Sequence, residues 1–173
     1  MKSNMNFGGV SITRDCFELI KQLLPEGKVI LELGSGYGTQ QLGKHYKMYS
    51  VENQKEWQNI FPESTTYINC GSKMYDNEYT APPIEENRGW YNPEDLFSQL
   101  PEHYDLILID GPGGSRWGRA GFLKHIDKFN TDVIMIFDDL HRKPEMDLIK
   151  AVSEYVNRPY EVVDGPKPVG YIL

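Results

Sequence analysis

Apolar positions along this chain alternate between helical and strand spacing. Phe17, Ile20, Leu23 and Leu24 recur at helical intervals, which predicts a helix over Thr13 to Leu24, capped by Ser11 and ended by Pro25-Glu26-Gly27. Lys28-Val29-Ile30-Leu31 reads as a short strand, and Thr39 to Lys47 has helical character. Met48 to Glu52 is a second strand, followed by a helix over Gln54 to Ile60 that Pro62 closes. Thr65 to Cys70 is a third strand, rich in β-formers. Tyr104 to Asp110 and Val133 to Phe137 are the most continuous apolar runs, as parallel strands buried on both faces require. A helix over Arg116 to Phe129 lies between them, and another over Pro144 to Val156 follows, with proline acceptable in its first turn. Tyr160 to Val163 and Val169 to Leu173 flank Asp164-Gly165-Pro166-Lys167-Pro168, which predicts an antiparallel hairpin.

This order implies an α/β fold: a doubly wound, Rossmann-like sheet with helices on both faces. Five parallel strands and the terminal hairpin make seven strands, so one domain over 1–173 is expected, with 1–25 as its N-terminal helical segment. Residues 76–93, holding Tyr79, Pro82, Pro83, Trp90 and Tyr91, have no such periodicity. Irregular stretches of this length serve as lids and binding loops or as solvated connections, and the sequence leaves both open.

Composition narrows the class. At 39% hydrophobic and 25% charged residues, the chain has the makings of an ordinary packed domain. A net charge of −7 argues against a broad nucleic-acid footprint, which needs clustered Lys and Arg. Cys16 and Cys70 are too few for a disulfide framework, and Cys16 lies on the apolar face of its helix. Met1 to Gly9 carries no continuous apolar run, and no stretch approaches membrane-spanning length. A cytoplasmic enzyme without a membrane partner fits these bounds.

The chemistry gathers where the first strand ends, in Glu32-Leu33-Gly34-Ser35-Gly36-Tyr37-Gly38. A strand running into closely spaced glycines and then a helix lets a nucleoside ligand lie against the main chain. The dinucleotide fingerprint would place a third glycine at position 39, where this chain has Thr39, and no Gly-Lys-Ser/Thr run offers a phosphate loop. The segment resembles the first motif of the class I S-adenosylmethionine-dependent methyltransferases. That resemblance spans nearly the whole chain, since a seventh, antiparallel strand is a mark of their fold. It implies S-adenosylmethionine as cofactor, held by Glu32, Gly34, Ser35, Gly36, Tyr37 and Gly38. Glu52 and Asn53 at the second strand end would meet the ribose, with Gly71 and Ser72 on the adenine side. Taken alone, Glu52 would serve NAD equally well.

Asp110 closes the fourth strand and Asp138-Asp139 the fifth, which brings three carboxylates to the same edge. Such a cluster needs a proton or a cation, and hard oxygen ligands suit Mg²⁺ or Ca²⁺. The layout resembles the metal-dependent O-methyltransferases of the catechol and caffeoyl-coenzyme A type, with Asp139 standing where those enzymes have Asn. The resemblance makes Asp110, Asp138 and Asp139 candidate metal ligands and Asp110 part of the catalytic and cofactor site. His141 is a candidate general base. Arg116, Trp117, Arg119 and Arg142 are candidates for binding an acceptor with an anionic group or ring; equally, they are consistent with a solvated helix face.

The expected function is methyl transfer to a small hydroxylated acceptor, a sugar, glycan precursor or phenol, with or without a divalent cation. Three rivals remain at this point: an N-methyltransferase on a nucleic acid or other amine, an NAD-dependent oxidoreductase, and a non-catalytic nucleoside-binding module. After Asp110 the chain reads Gly111-Pro112-Gly113, without the second proline and aromatic that base-flipping amino-methyltransferases carry there.

Overall fold

The computed structural model describes residues 11–74, 89–113 and 118–173. Its centre is a seven-stranded sheet built from β1 (Val29–Leu33), β2 (Lys47–Glu52), β3 (Thr65–Asn69), β6 (Leu106–Ile109), β7 (Ile134–Phe137), β8 (Tyr160–Val163) and β9 (Val169–Ile172). The order is β3-β2-β1-β6-β7-β9-β8. The first five run parallel, while β9 is antiparallel to both β7 and β8. The seven strands and the hairpin follow the sequence reading, with strand ends shifted by at most two residues. Strand order reverses between β1 and β6, and in open α/β sheets the crevice at such a point takes the ligand.

Side-chain alternation divides the core into two layers. Ile30, Met48, Leu106, Leu108 and Ile136 face α1 (Arg14–Leu23) and α2 (Tyr37–Leu42), meeting Cys16, Phe17, Ile20 and Leu42. Leu31, Val51, Ile107, Ile109, Met135 and Phe137 face the opposite layer, formed by α3 (Pro93–Phe97), α4 (Ala120–Lys124) and α5 (Lys143–Val156). Each fully buried aliphatic or aromatic side chain is worth about 1.5–3 kcal/mol, so both layers hold the central strands firmly.

The helices depart more from expectation than the strands. Thr13, not Ser11, caps α1, its hydroxyl accepting from the Cys16 N–H at 3.1 Å. The expected helix over Thr39 to Lys47 is α2, which begins earlier and ends at Leu42 because β2 already starts at Lys47. Over Gln54 to Ile60 only one 3₁₀ turn forms, Lys55–Trp57, and Asn59 then takes a left-handed φ of 58°. The predicted helix from Arg116 to Phe129 becomes α4 and a 3₁₀ turn, Ile126–Lys128. They part at His125, whose ring stacks on Trp90 with 5.5 Å between centroids.

The tail of the irregular stretch is ordered core. β5 (Gly89–Tyr91) pairs antiparallel with β4 (Ser72–Met74), and Trp90 and Tyr91 are fully buried. Asn92 then caps α3, an element the sequence did not reveal, by accepting from Glu94 N–H. Residues 76–88 of the expected lid lie outside the described residues. No helix among the described residues is long and apolar enough to cross a membrane.

Candidate active site

β1 and β6 meet backbone to backbone just past their carboxyl ends. Gly34 leaves β1 with φ of +96°, and a Cβ there would lie 2.9 Å from Gly111 Cα. A Cβ on Gly111 would lie 2.7 Å from Gly34 Cα and 2.6 Å from the Tyr91 hydroxyl. Only glycine satisfies both the left-handed backbone and the close approach. This seam forms the floor of the crevice where strand order reverses.

Two glutamates hold the glycine turn. Glu32 shares the Ile30 side of β1 and so points into the layer beneath the turn. It is buried, and its Oε2 accepts from Ser50 Oγ at 2.6 Å and Thr39 Oγ1 at 2.7 Å. Thr39 Oγ1 in turn accepts from Gly36 N–H at 3.0 Å. Burial pushes the Glu32 carboxyl up to about 7, with the charge of Glu52 adding to it and the two hydroxyl donors opposing. Glu52 ends β2. Its Oε2 accepts from Ser35 N–H at 2.9 Å and Ser35 Oγ at 3.2 Å, and its Oε1 from Asn53 and Gln54 N–H at 2.7 and 2.6 Å.

Across the seam, Asp110, Asp138 and Asp139 converge as expected: one oxygen of each lies within 4.8 Å of the others. The guanidinium of Arg119 stands among them. Its Nη2 donates to Asp110 Oδ1 at 3.1 Å and to Asp139 Oδ2 at 2.8 Å, while Nη1 donates to the Asp138 carbonyl at 2.7 Å. Asp139 takes a left-handed φ of 62°. Its carboxylate also meets Arg142 at 3.2 Å and Lys167 at 4.0 Å. Burial raises the Asp110 pKa well above the usual carboxylate range; Arg119 opposes this, and Asp138 and Asp139 add to it. Burial and the neighbouring Asp139 likewise raise Asp138, whose Oδ1 has no hydrogen-bond partner. Burial acts against the Arg119 charge, but Asp110 and Asp139 lift its pKa above the ordinary value. Arg119 already meets one oxygen each of Asp110 and Asp139, so a divalent cation here would stand beside a fixed buried positive charge, and the donor set does not fit a resident metal while Arg119 is in place.

A cavity of about 230 Å³ opens over the seam. Of the expected residues, Gly34, Ser35, Glu52, Asn53, Asp110, Arg119, Asp139 and Arg142 line it. Glu32, Gly36, Tyr37, Gly38, Gly71, Ser72, Asp138 and His141 are not among its lining residues. Alternation explains Glu32, which braces the turn from within. Gly38 packs against Ile12 on the inner side of α2. Tyr37 is exposed and sets its ring edge-on to Trp57, which does line the cavity. Gly71 donates its N–H to Asp95, and Ser72 Oγ accepts from Asn53 Nδ2 at 2.7 Å. His141 is exposed past the end of β7 and is not among the residues lining the cavity. Arg119 is 3% exposed and holds Asp110 and Asp139, so it does not lie on a solvated helix face. Arg116 and Trp117 lie outside the described residues.

The sequence reading missed Ser11, Gln54, Trp57 and Lys167 on the cavity wall. Ser11 Oγ and Asn53 Oδ1 are buried there without a hydrogen-bond partner. Lys167 reaches the site because Leu140 N–H bonds to the Pro168 carbonyl at 2.9 Å, drawing the β8–β9 turn against the end of β7.

No protein-family model matches the chain, and no curated protein sequence matches it. Solved structures do. A Staphylococcus aureus protein described as a caffeoyl-CoA O-methyltransferase aligns over 93% of this chain and 84% of its own, at 16% identity and a TM-score of 0.53. A Corynebacterium diphtheriae domain described as a precorrin-6Y C5,15-methyltransferase aligns over 91% of this chain and 93% of its own, at 12% identity and a TM-score of 0.53. Methyltransferase FkbM from Methylobacillus flagellatus aligns over 87% of this chain, at 10% identity and 0.52, and the chain spans 44% of its length. The sheet order, the antiparallel β9 and these alignments together show that the chain has the Rossmann-like fold of the class I S-adenosylmethionine-dependent methyltransferases.

Proposed function

We propose that this chain binds S-adenosylmethionine in the crevice over the Gly34–Gly111 seam and transfers its methyl group to a hydroxyl of a small acceptor. The observation that carries this reading is the pairing of Glu52 with Ser35 on one wall and Asp110 on the opposite wall of one cavity. The chain's own hydrogen-bonding groups fit the cofactor. Ser35 has one hydroxyl proton, which serves either Glu52 Oε2 or the Trp57 carbonyl at 2.9 Å. When it turns to Trp57, a Glu52 lone pair opens toward the cavity for a ribose hydroxyl. Asn53 Oδ1 and Ser11 Oγ supply two further polar atoms that need partners.

When bound, the sulfonium cofactor supplies an electrophilic methyl group. The chain's task is then to align an acceptor oxygen with it and to take that oxygen's proton. Alignment of this kind is worth about 7–11 kcal/mol of barrier. Asp110 is the member of the aspartate cluster most open to the cavity, its side chain 22% exposed against 8% for Asp139. Its Oδ1 accepts from Arg119, which in this reading leaves Oδ2 to take the proton. The net charge of −7 supports a small acceptor over a nucleic acid.

Calorimetric titration tests the reading. S-adenosylmethionine and S-adenosylhomocysteine should each bind with one-to-one stoichiometry, and NAD should not. Binding of NAD alone would overturn it. With an acceptor identified by a labelled-methyl screen of sugars and phenols, Asp110→Asn should lower kcat about 10²-fold or more while keeping cofactor binding. Unchanged kcat would remove Asp110 from the proton path.

A further inference from the structure

We infer that Arg119 occupies the place of the divalent cation in this acidic cluster, so that the chain carries its cation as a side chain and meets its acceptor by hydrogen bonding rather than by chelation. Three independent features point this way. The first is position: a single guanidinium contacts two of the three carboxylates that a metal at this edge would draw together, those of Asp110 and Asp139, and the backbone carbonyl of the third residue, Asp138. The second is burial. Arg119 is 3% exposed, so it is a fixed internal element and not a surface group passing over the site. Its planar fork is suited to bridging carboxylates, and its charge is not lost at any ordinary pH.

The third is the identity of residue 139. The metal-dependent enzymes that the sequence resembles carry Asn there, a neutral oxygen donor to a doubly charged ion. Here it is Asp139, a full negative charge. That carboxylate lies against Arg119, Arg142 and Lys167, at 2.8, 3.2 and 4.0 Å. A neutral amide would leave these cations without their shared anion. The change at residue 139 and the inward arginine therefore answer each other.

The consequence concerns the acceptor, and this part rests on the methyl-transfer reading above. A bound metal selects acceptors with two adjacent oxygens able to chelate it. A guanidinium buried behind Asp110 cannot be chelated, which leaves Asp110 to receive a single hydroxyl. Arg119 acts through Asp110 and is thus a positioning residue. Simple monohydroxylated acceptors should serve as well as vicinal diols.

Divalent-cation binding is the test, because it is read without any turnover. Wild-type protein titrated with Mg²⁺, Mn²⁺ and Ca²⁺ should show no stoichiometric site below millimolar concentration. Arg119→Met, checked for folding by circular dichroism, should gain a site for Ca²⁺ or Tb³⁺, and Asp138→Asn in that background should weaken it at least tenfold. A tight wild-type site that Asp139→Asn abolishes would overturn the inference. So would a folded Arg119→Met that gains none. Should Arg119→Met not fold, the wild-type titration decides alone. Cofactor binding, measured in the same wild-type sample, reports separately on the methyl-transfer reading.

Discussion

On the β1–β2 side of the crevice, Glu32 and Glu52 accept hydrogen bonds from neutral hydroxyls and backbone amides. On the β6–β7 side, Asp110 and Asp139 lie against Arg119, Arg142 and Lys167. The two sides solve the same problem, buried negative charge, by different means. Neutral donors fix the shape of a turn and leave a carboxyl free to hold its proton. Cations oppose the burial that raises Asp110 and Asp138, and they hold strand ends together over long sequence separations. The first side accordingly brings the glycine turn to the crevice, the second charged side chains.

Three substitutions probe this contrast. The largest effect is expected where the sides touch. Gly34→Ala forces a left-handed φ on a residue with a Cβ and drives that Cβ to 2.9 Å from Gly111 Cα. A cost of about 4 kcal/mol in urea unfolding is expected, from backbone strain and overpacking together. A loss under about 1 kcal/mol would mean that the two walls are not locked to each other.

Next is Glu32→Gln, which keeps an oxygen for Ser50 and Thr39 while removing the titration. The folded-state pKa of Glu32 is raised from 4.5 to about 7. Between those values the folded protein binds the proton more tightly than the unfolded chain. The stability Glu32 contributes is therefore full below about pH 4.5 and is lost as pH rises toward 7. Each pKa unit is worth about 1.4 kcal/mol, so the variant should gain on wild type by about 3 kcal/mol across that window. Parallel stability profiles from pH 4.5 to 8 would contradict the neutral-donor account.

The smallest effect belongs to Lys167→Ala. Lys167 is 44% exposed on its side chain and 4.0 Å from Asp139, so its loss should cost less than about 0.5 kcal/mol. A larger loss in the same urea measurement would show that Arg119 and Arg142 do not by themselves balance the β6–β7 side.

The contrast also explains what could be read from sequence. Local signals carried the strands, the terminal hairpin and the glycine turn, since alternation, turn residues and glycine spacing act over a few residues. The meeting of Glu52 with Ser35 at the glycine turn was legible for that reason. Glu32 was legible in part: its place two residues from Ile30 puts it on the inner face, a signal its position in the motif obscured. Arg119 was not. Its neighbours read as one basic helix face, and only the start of α4 at Ala120 turns this arginine inward to the aspartates. Lys167 reads as a turn residue until β9 pairs with β7 and sets the turn beside Asp139. Trp90 and Tyr91 were hidden by polar, proline-rich surroundings that resemble an exposed loop.

The Gly34–Gly111 seam has a kinetic consequence. β1, β2 and β3 are neighbours both in the chain and in the sheet, as are β8 and β9, so each group can form over short loops. Joining β1 to β6 closes a far longer loop, pairing Ile30 with Leu106 and Leu33 with Ile109. The crevice does not exist until that joint closes. A ligand seated across it thus binds the assembled chain and not its separate parts, stabilising the joint by mass action. Occupancy of the site acts as a clasp between two folding units.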